Sequence, residues 1–212
     1  MNLEKDTYKN FKRLSAVEKE GLDFQIRFNN IKSPIAIIAP HGGSIEPGTS
    51  EIAKSIAGDD FACYSFEGIK PKGNKKYLHI TSTNFDEPQG VEICTSAHMV
   101  LAVHGAKEND HFVYVGGRNE DLKNRIIEKL KHDGFKAQED ATDHSGRDPK
   151  NICNTCQSTK GLQLEISEGL RKEMFMGLTP ENLKLTTEVF DKFVNSIRFV
   201  LYENAMKDNS RA

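Results

Sequence analysis

An imidazole and a carboxylate lie close together in residues 35–58, which read IAIIAPHGGSIEPGTSEIAKSIAG. His41 follows a short apolar run, and Glu46 comes five residues later, just before a predicted helix. Two further apolar runs carry reactive residues, since MVLAV leads to His104 and LQLEI contains Glu165. Two neutral imidazoles and one carboxylate form a common zinc shell in which water takes the fourth position. These four side chains are therefore candidates for a hydrolytic metal site.

The two carboxylates suit different tasks in such a site. Zinc lowers the pKa of a bound water to about 7, which makes hydroxide available at neutral pH. A second carboxylate, which is not a ligand, must then take the proton of the water and pass it to the leaving amine. We assign His41, Glu46 and His104 as candidate ligands of one zinc ion per chain, and Glu165 as the candidate general base. Glycines follow both histidines and let the backbone turn there.

Both histidines also have a purely structural interpretation. His41 is compatible with a turn residue that is hydrogen-bonded to the backbone, and His104 with a strand-end histidine whose partners are structural. The occurrence of both at strand ends, each followed by glycine, favours the metal site. Among the other histidines, His144 in a long polar loop is the one further candidate ligand.

Apolar runs of about five residues alternate with amphipathic segments along the chain, which predicts an α/β fold. We expect an open, mixed and mostly parallel sheet with helices on both faces. Strands are predicted at 35–39, 61–66, 77–81, 99–103, 112–117, 135–140 and 161–166. Because the carboxyl ends of parallel strands share one edge, where ligands bind in open α/β sheets, His41, His104 and Glu165 are expected to converge.

Helices are predicted where capping residues precede amphipathic segments. Thr49 is expected to cap a helix that ends at Gly58, and Asn119 to cap one that ends at Gly134. Further helices are predicted at 87–98 and from about Thr179 to the end of the chain. The polar segment 67–76 is predicted to be a hairpin that joins the strands at 61–66 and 77–81.

The length suits one medium-sized domain, and with the candidate site we expect a single catalytic domain over residues 1–212. The net charge is −2, which provides no overall basic field for nucleic acid or a membrane surface. No apolar run approaches the roughly 20 residues of a membrane span. The first residues, MNLEKDTYKNFKRL, contain no apolar segment typical of a secretory signal, so we expect synthesis in the cytosol. We also expect a monomer, because no long apolar stripe is evident.

The pair Cys153 and Cys156 forms a C-x-x-C motif in an Asn- and Thr-rich segment. A second C-x-x-C at zinc-ribbon spacing is missing, so a four-thiolate zinc site has little support. A redox protein remains an alternative interpretation, and it requires a depressed thiol pKa at Cys153. Reduced, structurally neutral thiols are the expectation for a cytosolic product.

Several short motifs together resemble one known family. APHGGSIEPGTSEIA, HITSTNFDEP, AVHG, VGGRN and LQLEISEGLR are similar to the phage-type poly-γ-glutamate hydrolases, from about residue 8 to residue 205. The resemblance implies a zinc carboxypeptidase-like fold, with a more distant likeness to the N-formylglutamate amidohydrolases. It further implies hydrolysis of the γ-amide bonds of poly-γ-glutamate, a capsule polymer, by a phage product that leaves the host on lysis. The resemblance also implies that the zinc ligands of the family correspond to His41, Glu46 and His104 in this chain, and that its general base corresponds to Glu165.

Such a polymer keeps a free α-carboxylate on every unit, so its binding site needs cations. Arg118 follows the predicted strand 112–117 and is the first candidate to bind a substrate carboxylate or to stabilise the oxyanion. Arg171, after the Glu165 strand, and Arg147, in the long loop, are further candidates for substrate binding. The structural alternative for each is a solvated surface arginine. The lysine-rich segment 70–76 is either a rim that attracts the polymer or a solvated hairpin tip.

Two other functions are compatible with the same residues. A zinc amidohydrolase that deacylates N-acyl amino acids would use the same metal and base, but it would need a closed pocket instead of an open groove. A non-catalytic protein that binds carboxylate polymers would keep the cations and would tolerate loss of Glu165.

Overall fold

The computed structural model describes residues 6–29, 31–140 and 145–209. These residues contain one seven-stranded sheet and seven α-helices. The strands are β1 (Phe24–Phe28), β2 (Ile35–Gly43), β3 (Ala62–Gly68), β4 (Met99–Ala106), β5 (Val113–Gly117), β6 (Ala137–Glu139) and β7 (Leu162–Ser167). The helices are α1 (Phe11–Leu14), α2 (Thr49–Ala57), α3 (Asn74–Leu78), α4 (Pro88–Ser96), α5 (Glu120–His132), α6 (Glu168–Phe175) and α7 (Glu188–Asn209).

The strand order is β1-β3-β2-β4-β7-β5-β6. The four strands β3, β2, β4 and β7 are parallel, whereas β1 is antiparallel to β3 at one side of the sheet. On the other side, β5 is antiparallel to β7 and β6 is parallel to β5. The prediction of a mixed, mostly parallel α/β sheet is therefore confirmed.

Helices cover both faces of this sheet. One face packs on α2, α5, α6 and α7, with a core that includes Ile52, Leu122, Phe175 and Phe193. The other face packs on α1, α3, α4 and the segment around a 3-10 turn at Ile152–Thr155. Burial on both faces explains why β2 and β4 are continuous apolar runs in the sequence. Among the described residues, none of the helices combines the length and the apolar character needed to cross a bilayer.

Most predicted elements match the structure. Asn119 caps α5 through a 3.2 Å hydrogen bond that its Oδ1 accepts from the Leu122 amide. The cap of α2 is different, because Gly48 occupies the cap position and the Thr49 hydroxyl instead donates to the Glu46 carbonyl at 2.8 Å. The last helix begins at Glu188 and not near Thr179, since the Thr187 hydroxyl accepts a hydrogen bond from the Phe190 amide.

The predicted strand at 77–81 and its hairpin are wrong. The chain forms the short helix α3 there and then an extended segment through His79 and Ile80. Asn74 fixes this arrangement, because its side chain both donates to the carbonyl and accepts from the amide of Lys70, each at 2.8 Å. Strand β1 pairs with β3 at the position where the hairpin partner was expected.

Candidate metal centre

Three donor atoms meet above the carboxyl end of β2 and β4. The Nδ1 atoms of His41 and His104 are 3.1 Å apart, and Glu46 Oε2 lies 3.5 Å from the first and 3.7 Å from the second. Ligands about 2.0–2.1 Å from a tetrahedral zinc ion are separated from each other by about 3.3 Å. The three distances bracket this value, and all three side chains are buried. The donor set therefore fits a zinc ion.

The tautomer of His41 also suits a ligand. Its Nε2 lies 2.8 Å from the carbonyl oxygen of Ile80, so this nitrogen carries the proton and donates it. The Nδ1 lone pair is then free to face the other two donors. Metal-bound histidines usually donate their second nitrogen in this way, which fixes the ring and raises its basicity. The ring of His79 stacks on that of His41 at 4.1 Å and holds it from the other side.

Glu46 is held as an anion at this site. Its Oε2 accepts a 2.9 Å hydrogen bond from the Gly105 amide. Burial alone would raise the pKa of Glu46, but the neighbouring imidazoles of His41 and His104 hold it well below its usual range. A carboxylate that stays ionised beside two imidazoles is ready to bind a cation.

The sharp backbone turn after β2 brings His41 and Glu46 together. The register with β3 shifts between Ala39 and Gly42, and Gly43 has a positive φ of 58°. The Ser50 hydroxyl accepts a 3.0 Å hydrogen bond from the Gly43 amide, and a Cβ on Gly42 would lie only 2.1 Å from the same oxygen. The glycine pair is therefore needed here, as the sequence indicated.

Glu165 lies beside this centre on the same face of the sheet. It is the register partner of His104 on the neighbouring strand, and Tyr114 is its partner on the other side. Neighbouring strands are about 4.8 Å apart, so these three side chains form a row next to the donor atoms. Gln163 Nε2 donates to Glu165 Oε1 at 3.3 Å. Burial, together with the carboxylates of Glu46 and Asp140, raises the pKa of Glu165 well above its usual value.

Arg171 lies close to the centre, but its guanidinium is bound to the protein itself. It donates to the carbonyl oxygens of Ile166 at 3.0 Å, Pro47 at 2.5 Å and Ala106 at 2.8 Å. Each carbonyl belongs to a segment that carries a site residue, because Pro47 follows Glu46, Ala106 lies two residues after His104 and Ile166 follows Glu165. The side chain is buried, and a Cβ on Gly105 would lie 2.7 Å from its Cζ. Arg171 is thus placed to position the site residues, and its role in substrate binding stays a prediction.

Removal of this guanidinium should loosen all three segments at once. We expect Arg171→Met to lower the free energy of unfolding by about 2–4 kcal/mol, because one buried and two partly buried carbonyl groups lose their donor. Zinc affinity should fall about 10- to 100-fold, as is typical for loss of an outer partner of metal ligands. Urea denaturation and metal analysis measure the two effects.

Lys172→Met is the matched control, since Lys172 is half-exposed and pairs with Glu168 one helical turn away. It should change the free energy of unfolding by less than about 0.5 kcal/mol. Arg171→Lys should restore little, because an ammonium lacks the planar fork that reaches three acceptors. If Arg171→Met kept its stability and its zinc while KM rose, a substrate-binding role would be correct after all.

The structure does not bring the other two arginines to the centre. β5 runs antiparallel to β7, so Arg118 at its carboxyl end lies beside Gly161, just before the amino end of β7. Its side chain donates to the Thr159 carbonyl at 3.1 Å. Arg147 is exposed and forms ion pairs with Glu139 and Glu120. The prediction that Arg118 lies at the active edge is therefore wrong, and Arg147 is engaged with acidic partners.

Sequence reasoning missed two residues beside the centre. His79 stacks on His41 and its Nδ1 is 2.8 Å from Asp6 Oδ1, while Lys75 Nζ is 3.6 Å from Glu46 Oε1. Both lie in the segment that was predicted to be a hairpin and strand. The further candidate His144 lies outside the described residues.

The cysteine motif is part of the core. Cys153 and Cys156 are buried, unpaired by disulfides, and pack against the second face of the sheet. Burial raises the pKa of the Cys153 thiol, with a further contribution from Cys156. A reactive redox cysteine has a lowered thiol pKa, so the redox interpretation is wrong.

Comparison with known proteins identifies relatives over most of the chain. The poly-gamma-glutamate hydrolase family model matches residues 8–196. The UPF0714 protein YndL of Bacillus subtilis (strain 168) is 38% identical over 172 residues, which cover 80% of this chain and 67% of YndL. The SPbeta prophage-derived UPF0714 protein YoqZ of the same organism is 34% identical over 202 residues, which cover 94% of this chain and 73% of YoqZ.

Solved structures agree with these matches. A bacteriophage poly-gamma-glutamate hydrolase superimposes with a TM-score of 0.90 at 33% identity, and the match covers 95% of this chain and 99% of that one. YndL in an apo, zinc-free form gives a TM-score of 0.90 at 34% identity, with 94% and 99% of the two chains covered. An N-formylglutamate amidohydrolase from Ralstonia eutropha JMP134 shares the fold alone, with a TM-score of 0.54 at 11% identity and with 90% and 99% covered. This chain belongs to the poly-gamma-glutamate hydrolase family.

Proposed function

We propose that this protein is a zinc-dependent hydrolase that cleaves the γ-glutamyl amide bonds of poly-γ-glutamate. The observation that carries the proposal is the buried triangle of His41 Nδ1, His104 Nδ1 and Glu46 Oε2, with Glu165 in register beside it. Family membership indicates the polymer, and the donor set indicates the metal. One zinc ion per chain would be held by these three residues.

A zinc ion bound there would activate water and polarise the amide carbonyl as a Lewis acid. The protein residues have separate tasks. Glu165 takes a proton from the attacking water while the new C–O bond forms, and it delivers that proton to the nitrogen as the C–N bond breaks. Gln163 Nε2 donates a hydrogen bond to Glu165 Oε1 and so holds the carboxylate of Glu165 in one orientation. Arg171 keeps the segments of Glu46, His104 and Glu165 at fixed spacing.

The position of Glu165 favours catalysis over simple binding of the polymer. A carboxylate beside the donor cluster repels a polyanion when it is ionised, so Glu165 hinders binding of the polymer unless it has a chemical task. The phage link is supported by the prophage-derived relative YoqZ. We include in the proposal that the protein acts on the extracellular polymer after lysis of the host cell, and that it is a monomer.

Incubation of purified protein with poly-γ-glutamate tests the function directly. We expect the chain length of the polymer to fall, and a zinc chelator to prevent this fall, because the water would lose its activating ion. The size distribution of the products, measured by gel-permeation chromatography, also separates internal from terminal cleavage. Intact polymer in the presence of zinc-loaded protein would contradict the substrate and would make N-acyl amino acids the next substrates to test.

A further inference from the structure

Lys75 is the one described cation whose side chain reaches the donor cluster without being enclosed by acceptors. Its Nζ lies 3.6 Å from Glu46 Oε1, and its side chain is 37% exposed. Arg171, in contrast, is buried and donates to three carbonyl groups. Arg118 and Arg147 lie elsewhere, as described above.

The backbone that carries Lys75 is fixed. Asn74 is buried and forms two 2.8 Å hydrogen bonds with the backbone of Lys70, and Leu78 is fully buried in the core. The short helix α3 therefore presents Lys75 from a defined position at the edge of the centre. The next lysine, Lys76, is exposed and faces away, with its Nζ 5.1 Å from the centre of the Tyr77 ring.

The contact with Glu46 does not explain why a cation is placed there. Ion pairs at this distance and exposure contribute little to the stability of the fold. Glu46 is already stabilised by two imidazoles and the Gly105 amide. A divalent ion on the three donors would make the local charge positive, and an ammonium beside it would then be stabilised by a bound anion.

Poly-γ-glutamate supplies an anion in the required place. In a γ-linked chain, the carbon next to the scissile nitrogen carries the free α-carboxylate. When the scissile carbonyl lies at the donor cluster, this carboxylate lies at its margin, where the ammonium of Lys75 is located.

We propose that Lys75 binds the α-carboxylate of the glutamate unit on the leaving-amine side of the scissile bond. This inference rests on the proposed function and makes Lys75 a specificity-determining residue for it.

Two short γ-glutamate oligomers test the assignment, one native and one in which the carboxylate next to the scissile amide is a carboxamide. We expect Lys75→Met to raise KM for the native oligomer about 10- to 100-fold with little change in kcat, because a charge-assisted hydrogen bond to the substrate is lost. With the wild type, KM for the carboxamide oligomer should be higher than KM for the native oligomer by a similar factor. Lys75→Met should not raise KM for the carboxamide oligomer any further. Lys75→Arg should restore most of the affinity, and zinc content should stay at the wild-type value.

Lys76→Met is the matched control, since it removes the same charge from the same helix. It should change KM less than about twofold, because exposed charges are screened by solvent and salt. An equal rise in KM with Lys76→Met would indicate general attraction of the polymer by the lysine-rich segment 70–76. An equal rise in KM for both oligomers with Lys75→Met would indicate a structural role of Lys75. Either result overturns the assignment.

Binding of the same oligomers to Glu165→Gln protein, with and without Lys75→Met, separates this inference from the proposed function. If the native oligomer bound better than the carboxamide oligomer through Lys75 but the wild type cleaved neither, the proposed function would be overturned. Recognition of the carboxylate by Lys75 would stand, and its assignment to the leaving-amine side would fall. Cleavage of both oligomers at equal kcat/KM would keep the function and overturn the inference. If the protein neither bound nor cleaved either oligomer, both the proposed function and the inference would be overturned.

Discussion

Glu165→Gln is expected to lower kcat about 10²- to 10⁴-fold, which is the usual contribution of a general base. The carboxamide fills the same volume and can still accept the hydrogen bond from Gln163 Nε2. It cannot take a proton from water. Zinc content and affinity for the polymer should stay near the wild-type values, because the donors of His41, Glu46 and His104 are unchanged. Steady-state kinetics on the polymer, together with metal analysis, measure these quantities.

The stability of the metal-free protein gives a second readout for the same variant. Burial and the carboxylates of Glu46 and Asp140 raise the pKa of Glu165 in the folded state. A carboxyl group with a raised folded pKa binds more protons when folded than when unfolded. The free energy of unfolding therefore falls as pH rises from about 4.3, the unfolded pKa, through the raised folded pKa. Glu165→Gln removes this loss, so the metal-free variant should be at least as stable as the wild type at pH 7.

A kinetic defect combined with unchanged or higher stability distinguishes a missing base from misfolding. Glu173→Gln is the matched control, because it removes the same charge from an exposed residue that pairs with His111. It should leave kcat within about twofold. Normal turnover by Glu165→Gln would mean that another residue acts as the base, and Asp140 would then be the next carboxylate to change.

The convergence of the three candidate metal ligands could be predicted from the sequence because simple physical rules bring them together. Continuous apolar runs indicate buried parallel strands, and parallel strands present their carboxyl ends at one edge. His41 and His104 each end such a run, and the glycines after His41 allow the turn that returns Glu46. None of these steps requires knowledge of side-chain contacts.

The direction of β5 could not be read from its composition, because an apolar run is the same in either direction. The sequence did contain a relevant signal. Only residues 107–112 join β4 to β5, and a parallel return would need a crossover of about a dozen residues or more. The chain therefore turns back, and Arg118 arrives at the opposite edge from His104.

The roles of Arg171 and Lys75 could not be predicted from the sequence for a different reason. Both are basic residues near an active edge, and sequence favours the arginine because a guanidinium binds carboxylates well. The outcome depends on which acceptors surround each head group in the fold. Arg171 faces three backbone carbonyls across the gap left by Gly105, whereas Lys75 faces one carboxylate oxygen and solvent. Such contacts join segments that are distant in sequence, so local patterns do not encode them.

His104→Ala is expected to reduce bound zinc from one ion per chain to well below one. Loss of this residue removes one of three donors and leaves His41 Nδ1 and Glu46 Oε2 alone. The loss of affinity should exceed the 10- to 100-fold that removal of an outer partner typically costs. Activity on the polymer should fall with the zinc content. Elemental analysis after dialysis against a weak chelator measures the stoichiometry, and His111→Ala, at an exposed histidine, should retain the wild-type value.

Thermal unfolding gives an independent test of the same ligand. A ligand that binds only the folded state stabilises it by about 2.7 kcal/mol when its concentration is 100 times Kd. Added zinc should therefore raise the Tm of the wild type and of His111→Ala, but not that of His104→Ala. If His104→Ala still bound one zinc ion and showed the full rise in Tm, His104 would not be a ligand. The 3.1 Å contact between the two Nδ1 atoms would then be a hydrogen bond in which His104 Nδ1 donates to His41 Nδ1.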